Sequence, residues 1–519
     1  MDPVAATLVI LALAVVAFVS NRVPIGVVAI GVALALFFTG VLTLPEALAG
    51  FGDPTVLFIA ALFVVSEALD ATGVTAWAGQ LVIGRAGSGR RSLVVVISLL
   101  VAAVTALISI NGAVAALLPL VVVVAARAGV PSSKLLMPLA FAASAGSLLL
   151  LTGTPVNILV SELAADAGGR EFGFFEFALV GIPVLLGTVV ILLLGGRLLP
   201  ERPGALMPVD LARHARVLRK QYSLTLDTGT LLGPDSGVTE VVVAPRSPLI
   251  GQRVYAGMTT PDGDLVVLAG RRGDEHLTGT GFVLQAGDAL LLQGTWADLS
   301  RRARQPGVLA VDDPALLRRS VPLGAGAKRA LGILIAMIVL LATGLIPAAV
   351  AALLAACALV LTRTVSVPQA YHAISWTTVV LIAGMIPLST AFINTGTAEL
   401  VAGWMLALLG DAGPHLALLA LGLLTVVLGQ LISNVATVLI VAPMAIAVAQ
   451  TLDVSVQPFM MALAVAGAAS FLTPIATPAN LMVMEPAGYR FGDYWRLGLP
   501  LVLFFLAVAV LYVPLIWPF

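Results

Sequence analysis

Charge is scarce in this chain. Only 10% of its 519 residues are Asp, Glu, Lys or Arg, and 27 basic side chains balance 27 acidic ones to a formal net charge of zero. A surface so poor in charge does not suit a soluble protein of this size, and a balanced total offers no basic footprint for a nucleic-acid polymer. Cysteine is reduced to Cys357, which excludes an intramolecular disulfide. The four histidines, His214, His276, His372 and His415, are scattered without ligand spacing, so neither a metal centre nor an enzyme site is read from them.

What fills the chain instead is hydrocarbon. Hydrophobic residues make up 60% of it and the mean hydropathy is +1.08, the composition of a polytopic membrane protein in the plasma or inner membrane. The opening "MDPVAATLVILALAVVAFVSNRVPIG" has no basic residue ahead of its apolar run and no small-residue cleavage pattern, so it reads as a first transmembrane helix. About half of the charged residues lie between Glu201 and Arg329, a quarter of the length. There, "TEVVVAPRSPLIGQRV", "GDLVVLAGRRG" and "GDALLLQGTWADL" read as short strands joined by tight turns, a small α+β domain inserted over 201–327. Its flanks, "RHARVLRK" and "LLRRS", are basic, which assigns the insert to the cytoplasm.

From that anchor the topology can be walked at about 20 apolar residues per span. In the first half (1–200), residues 4–20, 23–42 and 55–83 cross, and 93–126 has basic residues at both ends with Asn111 and Gly112 near its middle, so it reads as a re-entrant hairpin. Residues 135–160 and 177–199 complete the half. In the second half (328–519), 330–345, 347–362, 376–394, 458–483 and 497–517 cross, and 414–449 is a second hairpin entering from the other face. Five spans plus one hairpin per half makes an α-helical inverted repeat with both termini external.

A sequence repeat supports the plan. The offset of 323 residues that takes Asn111 to Asn434 also takes Thr55 to Thr378, Ser66 to Ser389, Gly73 to Gly396, Thr154 to Thr477, Pro155 to Pro478, Asn157 to Asn480 and Glu162 to Glu485. Inverted repeats of this kind build secondary transporters, with cargo near the midplane where the repeats meet.

Four polar elements interrupt the apolar pattern: "SING" (Ser109–Gly112), "TGTPVN" (Thr152–Asn157), "ISNVAT" (Ile432–Thr437) and "TPIATPAN" (Thr473–Asn480). Two are hairpin tips and two break spans, with Pro155, Pro474 and Pro478 removing mid-span helix hydrogen bonds. Oxygens of Ser, Thr, Asn and freed carbonyls suit a hard cation such as sodium, and restarted helix N-termini suit an anion. Scattered Ser, Thr and Asn in membrane helices otherwise serve as packing glue. Glu67 and Asp70 read as either proton carriers or the interfacial end of the third span, and Glu162 and Glu485 as solvated ends of the broken spans.

These elements, with "INGAVAALLP", "SNVATVLIVAP" and "FLTPI…N…GYRFGDYWRLGLPL", resemble the divalent anion:sodium symporter (DASS) family of the ion transporter superfamily over nearly all of both membrane halves. The resemblance implies sodium near Ser109, Asn111, Thr152, Gly153, Thr154 and Asn157, and again near Ser433, Asn434, Thr473, Ala476, Thr477 and Asn480. It implies the anion between the tips, at Asn111, Gly112, Thr154, Pro155, Asn434, Val435, Thr477 and Pro478. The chain departs from the family's Ser-Asn-Thr tips: Ser109 is displaced by one, and Val435 stands where a threonine is expected. Residues of about 238–304 resemble a TrkA-C (RCK C-terminal) module, which implies a homodimer and a small regulatory ligand in the cytosolic domain. The expectation is sodium-coupled symport of a divalent anion, sulfate first and dicarboxylate second, by alternating access. Proton coupling, and an anion sensor read out through the insert, are the alternatives.

Overall fold

The computed structural model describes residues 2–20, 22–75, 77–78, 89–202, 236–255, 257–260, 264–273, 275–276, 281–311, 326–397, 400–401, 403–404, 407 and 413–519. The basic flanks 213–220 and 316–320, His214, residues 79–83 and residues 85–88 of the loop 85–92 lie outside this set. The chain divides into two compact units: 1–67, 82–206 and 332–519 form one, and 68–81 with 207–331 the other.

The first unit is helical. Its first half runs through α1 (Pro3–Ser20), α2 (Ile25–Phe38), α3 (Leu44–Leu48), α4 (Pro54–Ala71), α5 (Arg90–Leu107), α6 (Ile110–Ala128), α7 (Leu136–Gly146), α8 (Pro155–Asp166) and α9 (Ala178–Leu194). After the strand-rich segment, which contains helix α10 (Trp296–Ala303), come α11 (Ala327–Thr343), α12 (Ala348–Leu361), α13 (Val367–Ala373), α14 (Trp376–Asn394), α15 (Pro414–Gly429), α16 (Asn434–Thr451), α17 (Val456–Gly467), α18 (Pro478–Ala487) and α19 (Tyr494–Ala507). The last passes through a π turn (Val508–Tyr512) into α20 (Val513–Ile516). Among the described residues, seven helical stretches are long and apolar enough to cross a membrane.

The element ends follow the sequence repeat. Both ends of α2 and α12, the starts of α8 and α18, and the ends of α6 and α16 stand at the 323-residue offset. So do two capping boxes, Thr43 with Glu46 and Ser366 with Gln369, in which each side chain satisfies a free amide at a helix start. Gly73 and Gly396 follow α4 and α14 at φ of 71° and 70°, a left-handed conformation that glycine adopts without a Cβ penalty. The third span expected over 55–83 accordingly has its long helix end at Ala71.

Polar contacts gather the loops of this unit into two groups. In one, buried Lys134 donates to the carbonyls of Gly196 and Leu199 at 3.1 and 2.6 Å, and Arg202 bridges to the Gly488 carbonyl and Asp493 at 2.9 and 2.7 Å. A Cβ on Gly196 would fall on the Arg90 guanidinium, so the start of α5 and the loop after α6 both meet Gly196. In the other group, Gln457 donates to the Arg170 carbonyl at 2.8 Å and Trp517 to Glu176 at 2.7 Å. His415 and Phe459 both lie against the Phe519 ring, at 4.9 and 6.0 Å between centroids, so the start of α15 and the first turn of α17 meet there. Helices α9 and α19 run antiparallel, with Gly195 against Leu497, Gly187 against Phe504 and Leu179 against Tyr512.

The second unit carries an antiparallel five-stranded sheet of β1 (Ser236–Val243), β3 (Leu265–Arg272), β4 (Glu275–His276), β6 (Ala289–Thr295) and β7 (Val308–Ala310) in the order β4–β3–β6–β1–β7. A short pair, β2 (Arg253–Val254) with β5 (Phe282–Val283), and helix α10 (Trp296–Ala303) complete it. Val241, Val267, Leu292, Trp296 and Leu299 form its core, and the expected strands lie within β1, β3 and β6. At the edge of this core the Asp288 carboxylate accepts a fork of two 2.7 Å bonds from Arg272.

Candidate functional site

Two breaks and two tips form the candidate site, and the two breaks share one plan. The span expected over 135–160 stops at Gly146 and restarts at Pro155, and that over 458–483 stops at Gly467 and restarts at Pro478. Pro155 and Pro478 therefore stand at helix restarts, which the sequence reading expected in these spans. Each is the first residue of a restarted helix, where its missing N–H is one the helix cannot use. The residue before each caps the new helix: Thr154 Oγ1 accepts from the Val156 amide at 3.5 Å, and Thr477 Oγ1 from the Asn480 amide at 3.2 Å. Gly153 closes the first break so tightly that a Cβ there would lie 2.2 Å from the Ser147 carbonyl oxygen.

Asn157 and Asn480 are the centres of the breaks, and both are fully buried. Asn157 Nδ2 donates to the carbonyls of Ser147 and Leu150 at 2.8 and 2.9 Å, and Asn480 Nδ2 to those of Ser470 and Thr473 at 2.8 and 3.1 Å. The four carbonyls are themselves pairs at the 323-residue offset. With both donors of each amide committed, the remaining atom, Oδ1, is buried without a hydrogen-bond partner at both positions. A buried acceptor left without a donor costs about 1–3 kcal/mol, and a cation removes that cost where a protein donor does not. The Tyr494 hydroxyl, donating to the Asn480 carbonyl at 2.6 Å, fixes the backbone behind the second break; the sequence reading missed it.

The tips lie where two helices meet. Tip one joins α5 to α6 at Ile108 and Ser109, and the Ser109 hydroxyl caps α6 by accepting from the Gly112 amide at 3.1 Å. Tip two joins α15 to α16, where Ser433 caps by accepting from the Ala436 amide at 3.3 Å. The displacement of Ser109 thus starts α6 one residue earlier than α16 relative to the repeat, and makes Asn111 its second residue where Asn434 is the first of α16. Asn111 is exposed, while Asn434 is half-buried with its Oδ1 accepting a 2.6 Å bond from Ser470. That bond commits the Asn434 oxygen, whereas Asn157 and Asn480 commit their nitrogens. Thr152 donates to the Ala106 carbonyl at 3.1 Å, bringing break one to tip one, and Thr473 to the Gln430 carbonyl at 3.5 Å, bringing break two to tip two. The halves interlock, since α6 touches α18 and α16 touches α8.

The remaining candidates divide. Gly112 and Val435 are half-buried in the first turns of α6 and α16, and Ala476 is buried in break two. Glu485 is exposed. Glu162 is not the solvated end marker that the sequence reading expected: it is half-buried and bonded to the Thr55 hydroxyl, 107 residues away. Asp70 accepts from Thr75 at 2.9 Å, a local contact, and Glu67 is half-buried in α4. Among the described residues no group of His, Cys, Asp and Glu could hold a metal ion. An apolar helical unit with paired breaks at paired asparagines is the build of a multi-pass membrane transporter.

Comparison with known proteins gives the family. The citrate transporter (CitMHS) family matches residues 15–466 and 406–519, and the chain belongs to it. It is an anion transporter, not an enzyme. Over 98% of both chains it is 31% identical to the uncharacterized transporter YfbS of Escherichia coli K12. It is also 28% identical to the probable sodium/sulfate cotransporter 3 of Chlamydomonas reinhardtii, over 52% of this chain but only 31% of that one. Among solved structures, the Alcanivorax borkumensis YdaH transporter aligns over 99% of this chain and 98% of its own with a TM-score of 0.51 at 15% identity, a likeness of fold alone.

Proposed function

We propose that this protein symports sodium with a divalent anion, sulfate first and dicarboxylate second, as members of the divalent anion:sodium symporter family do. The observation that carries the reading is the pair of orphaned Asn157 and Asn480 oxygens, each held by an amide whose donors are spent on its own break. Acceptor oxygens with no donor are what a hard cation needs. Sodium would take these oxygens with hydroxyls and carbonyls from Thr152, Gly153 and Thr154 in one half and Thr473, Ala476 and Thr477 in the other. The anion would lie between the tips, against Asn111, Gly112, Asn434 and Val435 and the starts of α8 and α18, where free helix amides and the Asn434 nitrogen would be donors.

The two halves are read as inverted repeats. Support comes from the hairpin ends that converge on Gly196 in the first half and on Phe519 in the second, and from the antiparallel run of α9 and α19, which occupy equivalent places in the repeat. In that reading the Gly196 side is cytoplasmic, both termini are external, and the insert is a cytosolic TrkA-C-like module that pairs two copies of the chain and takes a small regulatory ligand. Transport is by alternating access of the tip-bearing helices. The resemblance to a sodium/sulfate cotransporter over half of the chain favours this pair of cargoes.

The test is uptake of labelled sulfate into proteoliposomes with and without an inward sodium gradient, with succinate, citrate, thiosulfate and taurine as competitors. Sodium-driven uptake is expected, and Asn157→Ala or Asn480→Ala should raise the half-saturating sodium concentration by about 10- to 100-fold, the worth of one lost ligand to a charged group. Uptake indifferent to sodium in the wild type, or unchanged in both variants, overturns the reading.

A further inference from the structure

The two tips are held differently, and the difference lies in one side chain. Gln430 follows α15 at tip two, and the residue 323 positions earlier, at tip one, is Leu107. The Gln430 carboxamide is 7% exposed and fully engaged: Nε2 donates to the Val426 and Ala469 carbonyls at 3.3 and 3.2 Å, and Oε1 accepts from the Leu472 amide at 3.0 Å. Ser470, between those last two partners, donates to Asn434. Break two is therefore tied to tip two at residues 469, 470 and 472. In the first half the Leu107 side chain has no polar atom to offer, and Ser147 makes, among the described residues, only the bond back to the Ser144 carbonyl, at 2.8 Å, which Ser470 makes to Gly467 at 3.5 Å besides its bond to Asn434. Among the described residues, Thr152 to Ala106 is the side-chain bond that joins tip one to break one.

We propose that Gln430 is a positioning residue for the cargo site. It holds tip two and break two in their cargo-binding geometry before cargo arrives, whereas tip one takes up that geometry only with cargo present. This rests on the site reading above. A site whose competent state is fractionally populated binds with its affinity reduced by that fraction. Loosening tip two therefore lowers the affinities for anion and cation together and leaves the translocation step alone.

The experiment uses the full chain with Cys357→Ser and either Leu431→Cys, at an exposed tip-two position, or Ile110→Cys at tip one, read by the rate of maleimide reaction with and without sodium sulfate. The 431 rate is expected to be indifferent to sodium sulfate, and the 110 rate to fall several-fold when it is added. Gln430→Met, equal in length but without hydrogen bonds, should raise the 431 rate several-fold, make it sensitive to sodium sulfate and leave the 110 rate unchanged. In transport it should raise the half-saturating sulfate and sodium together by about 10-fold, with the maximal rate kept within about two-fold. Gln430→Glu, which keeps an acceptor for the Leu472 amide, should fall between. A 431 rate unmoved by Gln430→Met overturns the positioning role whatever the cargo is, because it is read before cargo is added. A 431 rate that rises while both tips ignore sodium sulfate upholds the Gln430 bonds and overturns the sulfate reading. Failure of both variants to fold would make Gln430 merely structural and overturn the proposal.

Discussion

An amide side chain carries two donors and one acceptor oxygen, and which end is tied down decides what the free end can bind. Asn157 and Asn480 spend both donors on carbonyls of their own break, which leaves the oxygen; Asn434 spends its oxygen on Ser470, which leaves the N–H. Sequence alone names these asparagines without saying which end of each is tied down. A second residue with consequences at this scale is Asp288, in the strand-bearing unit. Burial pushes its carboxyl pKa up, but the Arg272 fork and the Gln285 amide outweigh that and hold it below the ordinary carboxylate range. A depressed folded pKa contributes stability that is present above the unfolded value, near 4, and is lost as pH falls through the folded one. The hydrogen-exchange protection of the β3 and β6 amides, corrected for the intrinsic rate, should thus fall as pH drops below about 4 in the wild type. Asp288→Asn should be destabilised by about 1–2 kcal/mol near neutral pH, a figure held down by the water around Arg272, and should lack that acid-dependent step. Equal exchange in both proteins at neutral pH would remove the fork from the account.

At the scale of elements, the breaks are helix ends rather than kinks. Proline in a helix interior costs about 3 kcal/mol, but at the first position it costs little and presets φ. Pro155→Ala and Pro478→Ala should therefore leave sulfate uptake within about two-fold of wild type, changing stability by only about 0.4–1 kcal/mol through the unfolded chain. Thr477→Val, by contrast, removes the cap that holds the Asn480 amide at 3.2 Å, and should cost about 1 kcal/mol together with a measurable loss of sodium affinity. A larger loss of uptake in the proline variants than in the threonine variant would overturn this reading of the two prolines. The paired capping boxes at Thr43 and Ser366 were open to sequence inspection through their S/T-x-x-E/Q spacing, yet they are short signals inside apolar surroundings and were passed over.

At the scale of the whole molecule, the prediction concerns sidedness. With Cys357 replaced, cysteines at Arg91 and Pro131 should react with an impermeant maleimide from one face of the membrane only, and cysteines at His415 and Asp453 from the other. All four positions are exposed and flank the two groups of loops that meet at Gly196 and Phe519. Labelling of all four from one face would end the inverted arrangement and, with it, the placement of cargo between opposed tips.

The membrane class, the 323-residue repeat and the four polar elements were legible in the chain, because a bilayer admits polar residues in mid-span only where protein or cargo satisfies them. The strands of the insert were legible for a similar reason, as β-branched runs between glycines. What only the tertiary structure decided is the orientation of each polar group: which asparagine shows oxygen, which shows nitrogen, and that Glu162 is bonded to Thr55 rather than solvated. Gln430 and Tyr494 were invisible for the same cause. Their roles depend on carbonyls and amides at Ala469, Leu472 and Asn480, and backbone groups look alike in every sequence until the fold sets them in place.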